Sequence, residues 1–308
     1  MILCCGEALI DMLPRETIAG EQAFAPYAGG AVFNTAIALG RLRVPVGFFS
    51  GLSSDLFGQQ LREVLAASHV SVDFAHLSDR PTTLAFVRLV DGHATYTFYD
   101  ENTAGRMLTE HNLPALSDDV HAMLFGAISL IPEPCGSAYE ALLKREHRGR
   151  VIMLDPNIRP GFIPDKQKHL ERIRRMASMS DIIKLSDEDL GWFGEPGTPE
   201  EIIAKWLGGG GPKLIVMTRG SRGAIGYTEK YAVSVDAERV TVVDTVGAGD
   251  TFNAGLLASL HENGALTKKA LAQLDEDTIR DALAFGVRAA AVTVSRAGAN
   301  PPWRNELT

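Results

Sequence analysis

Short apolar runs alternate with longer amphipathic stretches along most of this chain. The apolar runs have the length of buried strands and end in small or polar residues; they cover 2–10, 44–52, 122–130, 150–157, 180–186 and 212–220. The amphipathic stretches have helical spacing and cover 55–68, 134–147, 165–179 and 199–207. This alternation predicts an α/β fold with a largely parallel sheet that helices cover on both faces. Ligands of such sheets bind beyond the carboxyl ends of the strands.

Two stretches depart from this alternation. Residues 11–30 combine turn residues with scattered apolar positions and show no helical period. Residues 82–99 contain two alternating arms around Asp91 and Gly92, a dipeptide suited to a type I′ turn, and therefore predict a β-hairpin. The pattern leaves two interpretations open: a small sheet separate from the main one, or hairpins that decorate the surface.

Length and composition narrow the class of protein. The 308 residues are enough for one large domain or two smaller ones, and the 45% hydrophobic content is typical of a globular protein. A formal net charge of −8 argues against nucleic acid or an anionic membrane as the main partner. Cys4 and Cys5 are neighbours in a strand-like run, where they are poor disulfide partners. Without a signal peptide or a spanning segment, we expect a cytoplasmic protein with reduced thiols.

A glycine pair opens the stretch GGAVFNTAIALGRL. After Gly29 and Gly30 the apolar positions follow a helical period, with Asn34 one turn from the start. Glycines let a small ligand approach the backbone, and an asparagine side chain can donate to and accept from hydroxyl groups. Taken alone, the pattern favours a plain glycine turn before a helix.

The stretch VTVVDTVGAGDTFNAGLLASL predicts a strand at 240–243, a glycine step and a helix. The backbone N–H groups of Gly247, Ala248 and Gly249 would point out of the helix N-terminus, where the helix dipole also favours an anion. Asp250 falls in the first turn, where an aspartate is favourable for capping alone. The chain has neither a Walker lysine loop nor a GxGxxG after its first strand, so this step is the candidate phosphate site and a dehydrogenase is disfavoured.

These two stretches together resemble the signature regions of the PfkB or ribokinase-like carbohydrate kinases. GGAVFNTAIALGRLRVPVGFFSGLSSDLFGQQL (29–61) resembles the first region and DTVGAGDTFNAGLL (244–257) the second, while GEALIDML, DPNIRP, KLSDEDL and MTRGSRGA fall at matching places. The resemblance covers the whole chain and implies a single ribokinase-like domain over 1–308. That domain would be a three-layer α/β/α sandwich with a small β-sheet lid, formed by insertions 11–30 and 77–106.

The resemblance also implies the catalytic roles. Asp250 would accept the proton of a sugar hydroxyl while this oxygen attacks the γ-phosphate of ATP. The backbone of Gly247, Ala248 and Gly249 would form an anion hole for the transferring phosphoryl group. A carboxylate beside a phosphate is tolerable only with positive charge nearby, so a basic group or a bound cation must lie close to this loop.

The same resemblance assigns residues to the sugar and the phosphates. Sugar hydroxyls are expected at Asp11, Gly29, Gly30 and Asn34. Arg159, which follows DPNI, is assigned to the substrate side, and Lys184 of KLSDEDL is assigned to the nucleotide. Without the family pattern, each of these two basic residues would be interpreted as a member of a surface ion pair.

Nucleotide and metal sites complete the expected set. Thr218, Gly220 and Gly223 follow a strand and would leave room for the ribose and phosphates of ATP. Relatives help to hold Mg²⁺ through water with an Asn-x-x-Glu motif; here the matching positions read SDED, which makes Asp189 the candidate. Asp244 resembles a position that binds a monovalent cation such as K⁺ in some relatives, and capping of its own turn is the alternative.

The lid sequence favours a neutral ketohexose. The run YTFYDENTAGRML is similar to that of fructokinases in this family, and Phe98 would close over the sugar as an apolar wall. Asp100 and Glu101 would repel a sugar acid if they face the site, although Arg88 on the first arm could meet one. The expected reaction is therefore the ATP-dependent phosphorylation of fructose to fructose 6-phosphate.

Other functions stay open at this point. A 2-keto-3-deoxygluconate kinase or a ribokinase-type sugar kinase would have the same fold. A non-catalytic sugar-binding relative is a further alternative, against which the intact Asp250 argues. The resemblance also allows a homodimer through the lid, and we expect neither nucleic acid nor a membrane as a partner.

Overall fold

The computed structural model describes residues 1–90 and 93–307. Its strands, in chain order, are β1 (Ile2–Cys5), β2 (Leu9–Glu16), β3 (Gln22–Gly29), β4 (Val46–Phe49), β5 (Gly51–Ser53), β6 (Val70–Ser71), β7 (His76–Ser78), β8 (Leu84–Val90), β9 (His93–Tyr99), β10 (Ala122–Gly126), β11 (Val151–Asp155), β12 (Ile182–Ser186), β13 (Leu214–Thr218), β14 (Ala224–Tyr227) and β15 (Ala232–Val235). Its α-helices are α1 (Ala31–Arg41), α2 (Leu56–Ala67), α3 (Cys135–Glu146), α4 (Lys166–Ser178), α5 (Asp187–Phe193), α6 (Pro199–Gly208), α7 (Ala248–Glu262), α8 (Lys268–Leu271) and α9 (Glu276–Val294).

The central sheet confirms the predicted α/β fold. Its strand order is β15-β14-β13-β12-β11-β10-β1-β4-β6, and its pairs are parallel except for the antiparallel β13–β14 and β14–β15 pairs. The run 2–10 was predicted too long, because its strand ends at Cys5 and Leu9 already begins β2. Gly6 makes the turn between them, at a point where any side chain would overlap Val32 of α1.

Helices cover both faces of this sheet, which confirms the three-layer sandwich. One face packs against α1, α7 and α9, and the other against α3, α4, α5 and α6. Cys4 belongs to the first core and Cys5 to the second, so their opposite orientation is also confirmed. Among the helices of residues 1–90 and 93–307, none combines the length and the apolar character needed to cross a bilayer.

A smaller sheet lies apart from the central one, in the order β3-β2-β8-β9. Strands β2 and β8 are parallel, whereas β2–β3 and β8–β9 are antiparallel pairs. The hairpin predicted within 82–99 is thereby confirmed, and its turn at Asp91 and Gly92 lies outside the described residues. These strands fall in or beside segments 11–30 and 77–106, whose role as a lid stays a prediction.

The strand predicted at 240–243 is wrong. Residues 236–245 form neither helix nor strand, and the sheet ends at β15. Val240 and Val242 are 39% and 60% exposed, and the Val243 N–H donates to the Val294 carbonyl at the end of α9, at 2.8 Å. The alternating valines fit a strand pattern, but the segment hydrogen-bonds to a helix end instead of to a neighbouring strand.

Candidate active site

The glycine step places backbone donors at the start of α7. Gly247 is the N-cap residue and has a left-handed φ of 77°, which glycine adopts without strain. The first intrahelical bond runs from Thr251 N to Gly247 O at 2.9 Å, and Ala248 N makes only a long bond to Thr245 O at 3.3 Å. The amides of Ala248 and Gly249 thus precede the helical ladder, where an anion can bind them.

Asp250 follows this step and is buried in the first turn of α7. Its Oδ2 accepts a hydrogen bond from Asn34 Nδ2 at 2.9 Å, and its backbone carbonyl accepts one from Thr35 Oγ1 at 3.1 Å. Burial raises the pKa of Asp250 to about 7; the Asn34 hydrogen bond opposes this rise, the Asp155 charge adds to it, and Lys184 also opposes it. A carboxyl group with a pKa near physiological pH is suited to be a general base.

Lys184 supplies the positive charge that this loop requires. It lies near the end of β12, and its Nζ donates to Asp155 Oδ2 at 3.1 Å. The same Nζ is 3.2 Å from the position that a Cβ atom on Gly249 would take. Burial alone would lower the pKa of Lys184, but the carboxylates of Asp155, Asp189 and Asp250 more than offset this, so the pKa is raised and the ammonium stays charged.

The turn after β11 brings further polar groups to Lys184. Asp155 Oδ2 also accepts a bond from Asn253 Nδ2 of α7 at 2.6 Å, which ties the turn to the helix. Arg159 is exposed at the other end of the turn, and its charge lowers the pKa of Asp250. Two basic groups from separate elements therefore act on the predicted base.

Asp189 holds this turn in place. Its Oδ1 accepts from Ile158 N and its Oδ2 from Ser186 N, both at 2.8 Å. Ser186 Oγ accepts from Asp189 N in return, so the two residues form the capping box of α5. These bonds give Asp189 a structural role that accounts for a carboxylate at this position. The part of Asp189 in magnesium binding through water stays a prediction.

The residues predicted for the sugar meet at the start of α1. Gly30 is the N-cap with a φ of 113°, and a Cβ atom there would lie 2.8 Å from the Glu7 carbonyl. A Cβ atom on Gly29 would overlap the Asp11 carboxylate of β2. The glycine pair thus allows Asp11 to approach α1, and burial raises the pKa of this carboxyl to about 6.

Glu7, between β1 and β2, caps α1 from outside the helix. Its Oε1 accepts from Ala31 N at 2.7 Å and Val32 N at 3.3 Å, and its Oε2 accepts from Ser129 N at 3.3 Å. Burial raises the pKa of Glu7 to about 7, and the helix N–H groups oppose the rise. The donors at the start of α1 therefore already have an internal carboxylate.

A chamber of about 340 Å³ lies between the two sheets, and we call it the sugar chamber. Of the site residues described so far, Glu7 lines it, whereas Asp11, Gly29, Gly30, Asn34 and Asp250 are not among its lining residues. Glu7 lines it from the turn between β1 and β2, and Leu9 and Phe98 line it from the small sheet. The Phe98 ring meets Phe162 edge-on, with 4.8 Å between ring centroids. An apolar wall therefore exists at Phe98, and contact of this wall with a sugar stays a prediction.

A second chamber, of about 590 Å³, adjoins the glycine step, and we call it the nucleotide chamber. The predicted nucleotide residues Thr218, Gly220 and Gly223 line it together with Ala248 and Gly249. Val240 and Val242 of the 236–245 segment also line this chamber. The glycine step thus borders a space of the size and lining that a nucleotide needs.

The sequence matches the pfkB family of carbohydrate kinases over residues 1–306. The chain belongs to this family. It is 62% identical over 281 residues to a fructokinase of Rhizobium leguminosarum bv. trifolii, covering 91% of this chain and 86% of that protein.

Solved fructokinases share the fold of this carbohydrate kinase. The Xylella fastidiosa fructokinase with bound ATP superposes with a TM-score of 0.89 at 28% identity, over 99% of this chain and 97% of that one. A Vibrio cholerae O395 fructokinase in a fructose, ADP and calcium ion bound form gives a TM-score of 0.81 at 26% identity, over 97% and 94%.

Asp244 of this carbohydrate kinase lies just ahead of the glycine step and caps two backbone groups. Its Oδ1 accepts from Val246 N at 3.0 Å and its Oδ2 from Gly298 N at 2.9 Å. These bonds are those expected of a carboxylate that caps a turn. Binding of a monovalent cation at Asp244 stays a prediction.

The kinase site contains residues that sequence patterns did not single out: Glu7, Thr35, Asp155, Asn253 and Phe162. Glu7 and Asp155 follow or end strands of the parallel sheet, and this placement was the available signal. Thr35 and Asn253 lie inside helices, and Phe162 lies in a short turn, so their roles depend on contacts between distant segments.

Proposed function

We propose that this carbohydrate kinase is a fructokinase that uses ATP to convert fructose to fructose 6-phosphate. The observation that carries the proposal is the position of Asp250. It directly follows Gly249 in the wall of the nucleotide chamber, and it bonds to Asn34 of the helix that begins beside the sugar chamber. Relatives that are named fructokinases, one of them 62% identical, support fructose as the sugar.

In the proposed reaction, Asp250 accepts the proton of the primary hydroxyl group of fructose. The hydroxyl oxygen forms a bond to the γ-phosphorus while the bond from this phosphorus to the β–γ bridging oxygen breaks, and ADP leaves. Asn34 orients the Asp250 carboxylate through their 2.9 Å hydrogen bond. The backbone of Gly247, Ala248 and Gly249, with the Lys184 ammonium, stabilises charge on the transferring group.

ATP is the proposed donor, accompanied by Mg²⁺. The nucleotide chamber adjoins the glycine step and the charged Lys184, which fits a triphosphate. Within the described part of the chain, no group of three or more His, Cys, Asp or Glu side chains could hold a metal by itself. We therefore assign the Mg²⁺ to phosphate oxygens and water, with Asp189 reached through water, where it neutralises phosphate charge. K⁺ at Asp244 is a further candidate.

We also propose that the small sheet is a lid through which two copies pair. Phe98 faces the sugar chamber, and its neighbour Tyr99 points to the opposite face of the strand. There Phe24, Phe86 and Tyr99 form a cluster with centroid distances of 5.0 and 5.4 Å, and Phe24 and Tyr99 are 44% and 61% exposed. An exposed aromatic cluster suits an interface. A cytoplasmic location is proposed because ATP and free thiols are expected there.

An ATP-consumption assay with fructose, ribose, 2-keto-3-deoxygluconate and adenosine tests the proposal. We expect the highest kcat/KM for fructose. Asp250→Ala should lower kcat by about 100-fold or more, because it removes the proposed proton acceptor, while fructose binding by calorimetry persists. Preference for another substrate would overturn the fructose assignment, and an active Asp250→Ala variant would overturn the mechanism. Fructose binding without ATP consumption by the unmodified protein would identify a non-catalytic sugar-binding relative.

A further inference from the structure

The sugar chamber carries an ion pair that the proposed reaction does not use. Asp100 follows β9, Arg106 comes six residues later, and both side chains line the chamber. Arg106 Nη1 lies 2.8 Å from Asp100 Oδ1, and the two side chains are 34% and 27% exposed. Arg106 Nε also donates to the Glu133 carbonyl at 3.5 Å. The guanidinium is thus a fixed part of the chamber wall.

We infer that Asp100 restricts this chamber to neutral sugars by occupying and neutralising Arg106. The inference rests on the proposed sugar kinase function and adds its specificity-determining pair. It assigns Arg106 as the group that would bind a sugar carboxylate if Asp100 did not already hold it.

The chemistry of the two side chains supports this role. An arginine binds a carboxylate through two parallel N–H bonds, and this geometry makes it the preferred partner of carboxylate ligands. With Asp100 in place, a sugar carboxylate would have to displace the Asp100 carboxylate from the guanidinium or lie beside its negative charge. A neutral hydroxyl meets no such repulsion, and it can accept from the arginine N–H groups that Asp100 leaves free.

Charges elsewhere in the lining act in the same direction. Of the residues that line this chamber in the described part of the chain, Glu7, Asp100 and Arg106 are the charged ones. Glu7 adds a second carboxyl group and no positive charge. The sequence analysis named Arg88 as an arginine that could bind a sugar acid. Arg88 is exposed and lies two residues from Phe86, on the outer face of β8. Arg159, which was assigned to the substrate side, does not line this chamber either. Arg106 is therefore the candidate carboxylate ligand in the chamber wall.

The exposed neighbour Glu101 provides a matched control, because it does not line the chamber. Asp100→Asn and Glu101→Gln each remove one negative charge and keep the side-chain size. The readouts are kcat/KM for fructose and for 2-keto-3-deoxygluconate, and the inhibition constant of this sugar acid against fructose turnover. In Asp100→Asn we expect the acid-to-fructose ratio to rise, and the inhibition constant to fall, by about tenfold or more, the effect of one charge-assisted bond. Glu101→Gln should leave both unchanged.

The double variant Asp100→Asn/Arg106→Gln should return both readouts to the unmodified values, because the carboxylate ligand is gone. An unchanged ratio and inhibition constant in Asp100→Asn, with fructose turnover intact, would overturn the inference and leave the proposed function standing. If the acid-to-fructose ratio stays raised in the double variant, which lacks Arg106, the inference is overturned as well. If Asp100→Asn unfolds early in a thermal melt, Asp100→Ser, which also removes the charge and keeps a small polar side chain, is measured at lower temperature against the same criteria. Failure of the unmodified protein to phosphorylate fructose would instead overturn the proposed function.

Discussion

Two helices of this molecule, α1 and α7, begin after glycines at the same site. The groups that lie beside their first backbone N–H donors differ. At α1, the donors of Ala31 and Val32 bond to the internal carboxylate of Glu7. At α7, the side chain beside the donors after Gly247 is the ammonium of Lys184. Its Nζ lies 3.2 Å from the position that a Cβ atom on Gly249 would take. One helix start is capped by the protein's own carboxyl group, and the other is left for an anion that comes from outside.

This difference separates the task of holding the sugar from that of holding the phosphate. Because Glu7 satisfies the dipole of α1, this helix serves as a rigid base from which Asn34 and Thr35 reach Asp250. The dipole of α7 stays available, and Lys184 adds to its positive field. A glycine step before a helix therefore does not by itself indicate a phosphate site. The charge of the side chain beside the helix start determines whether an external anion can bind there.

Lys184→Met tests the α7 side of this contrast and should have the larger effect. We expect kcat to fall by about 100-fold, because the ammonium next to Gly249 no longer stabilises charge on the phosphoryl group. The matched control is Lys205→Met, which removes an exposed ammonium paired with Glu195 at 3.3 Å and should leave kcat unchanged.

Loss of Lys184 also leaves Asp155 buried without its ammonium partner, so thermal unfolding is measured beside activity. A folded Lys184→Met protein with normal kcat would remove Lys184 from the phosphate site. It would also remove the contrast between the two helix starts.

Glu7→Gln tests the α1 side and should have the smaller effect. The amide keeps an oxygen for the Ala31 N–H, but its NH2 group cannot accept from the Ser129 N–H that now bonds Glu7 Oε2, so we expect the fructose KM to rise by about two- to fivefold with kcat nearly unchanged. A large loss of kcat would contradict the purely structural role of Glu7.

Titration of Glu7 gives the stability of the unmodified protein a pH dependence that Glu7→Gln should lack. Because the pKa of Glu7 is raised to about 7, the folded protein binds more protons than the unfolded chain between about pH 4.5 and 7, and its stability falls as pH rises through this window. Glu7→Gln removes this contribution, so its Tm should fall less than that of the unmodified protein between pH 5 and 8. An equal fall in both would show that Glu7 does not titrate there.

Local patterns located strands of the central sheet and the second glycine step. The apolar runs located the parallel strands, and the motif around Asp250 located the start of α7 and the acid in its first turn. Periodicity failed at 240–243, since alternating valines look the same at the rim of a chamber as in a strand. The strand pattern contains no information about which neighbour supplies the hydrogen bonds.

The contrast between the helix starts could not be predicted locally. Glu7 lies 24 residues from Ala31, and Asp155 lies 98 residues from Asn253. Only the strand order, which places the ends of β1, β11 and β12 around the two helices, brings these partners together. The Asp100–Arg106 pair is close in sequence, but its position in the chamber wall also depends on the packing of the small sheet.

The pH dependence of kcat/KM for fructose tests the central claim, that Asp250 at the start of α7 is the base of a phosphoryl transfer. Burial raises the pKa of Asp250 to about 7, and a base must be ionised to act. We predict that kcat/KM falls about tenfold per pH unit below pH 7, levels off above it, and keeps this acid limb in Glu7→Gln. A flat profile between pH 5 and 9, or a limb that vanishes in Glu7→Gln, would contradict the claim.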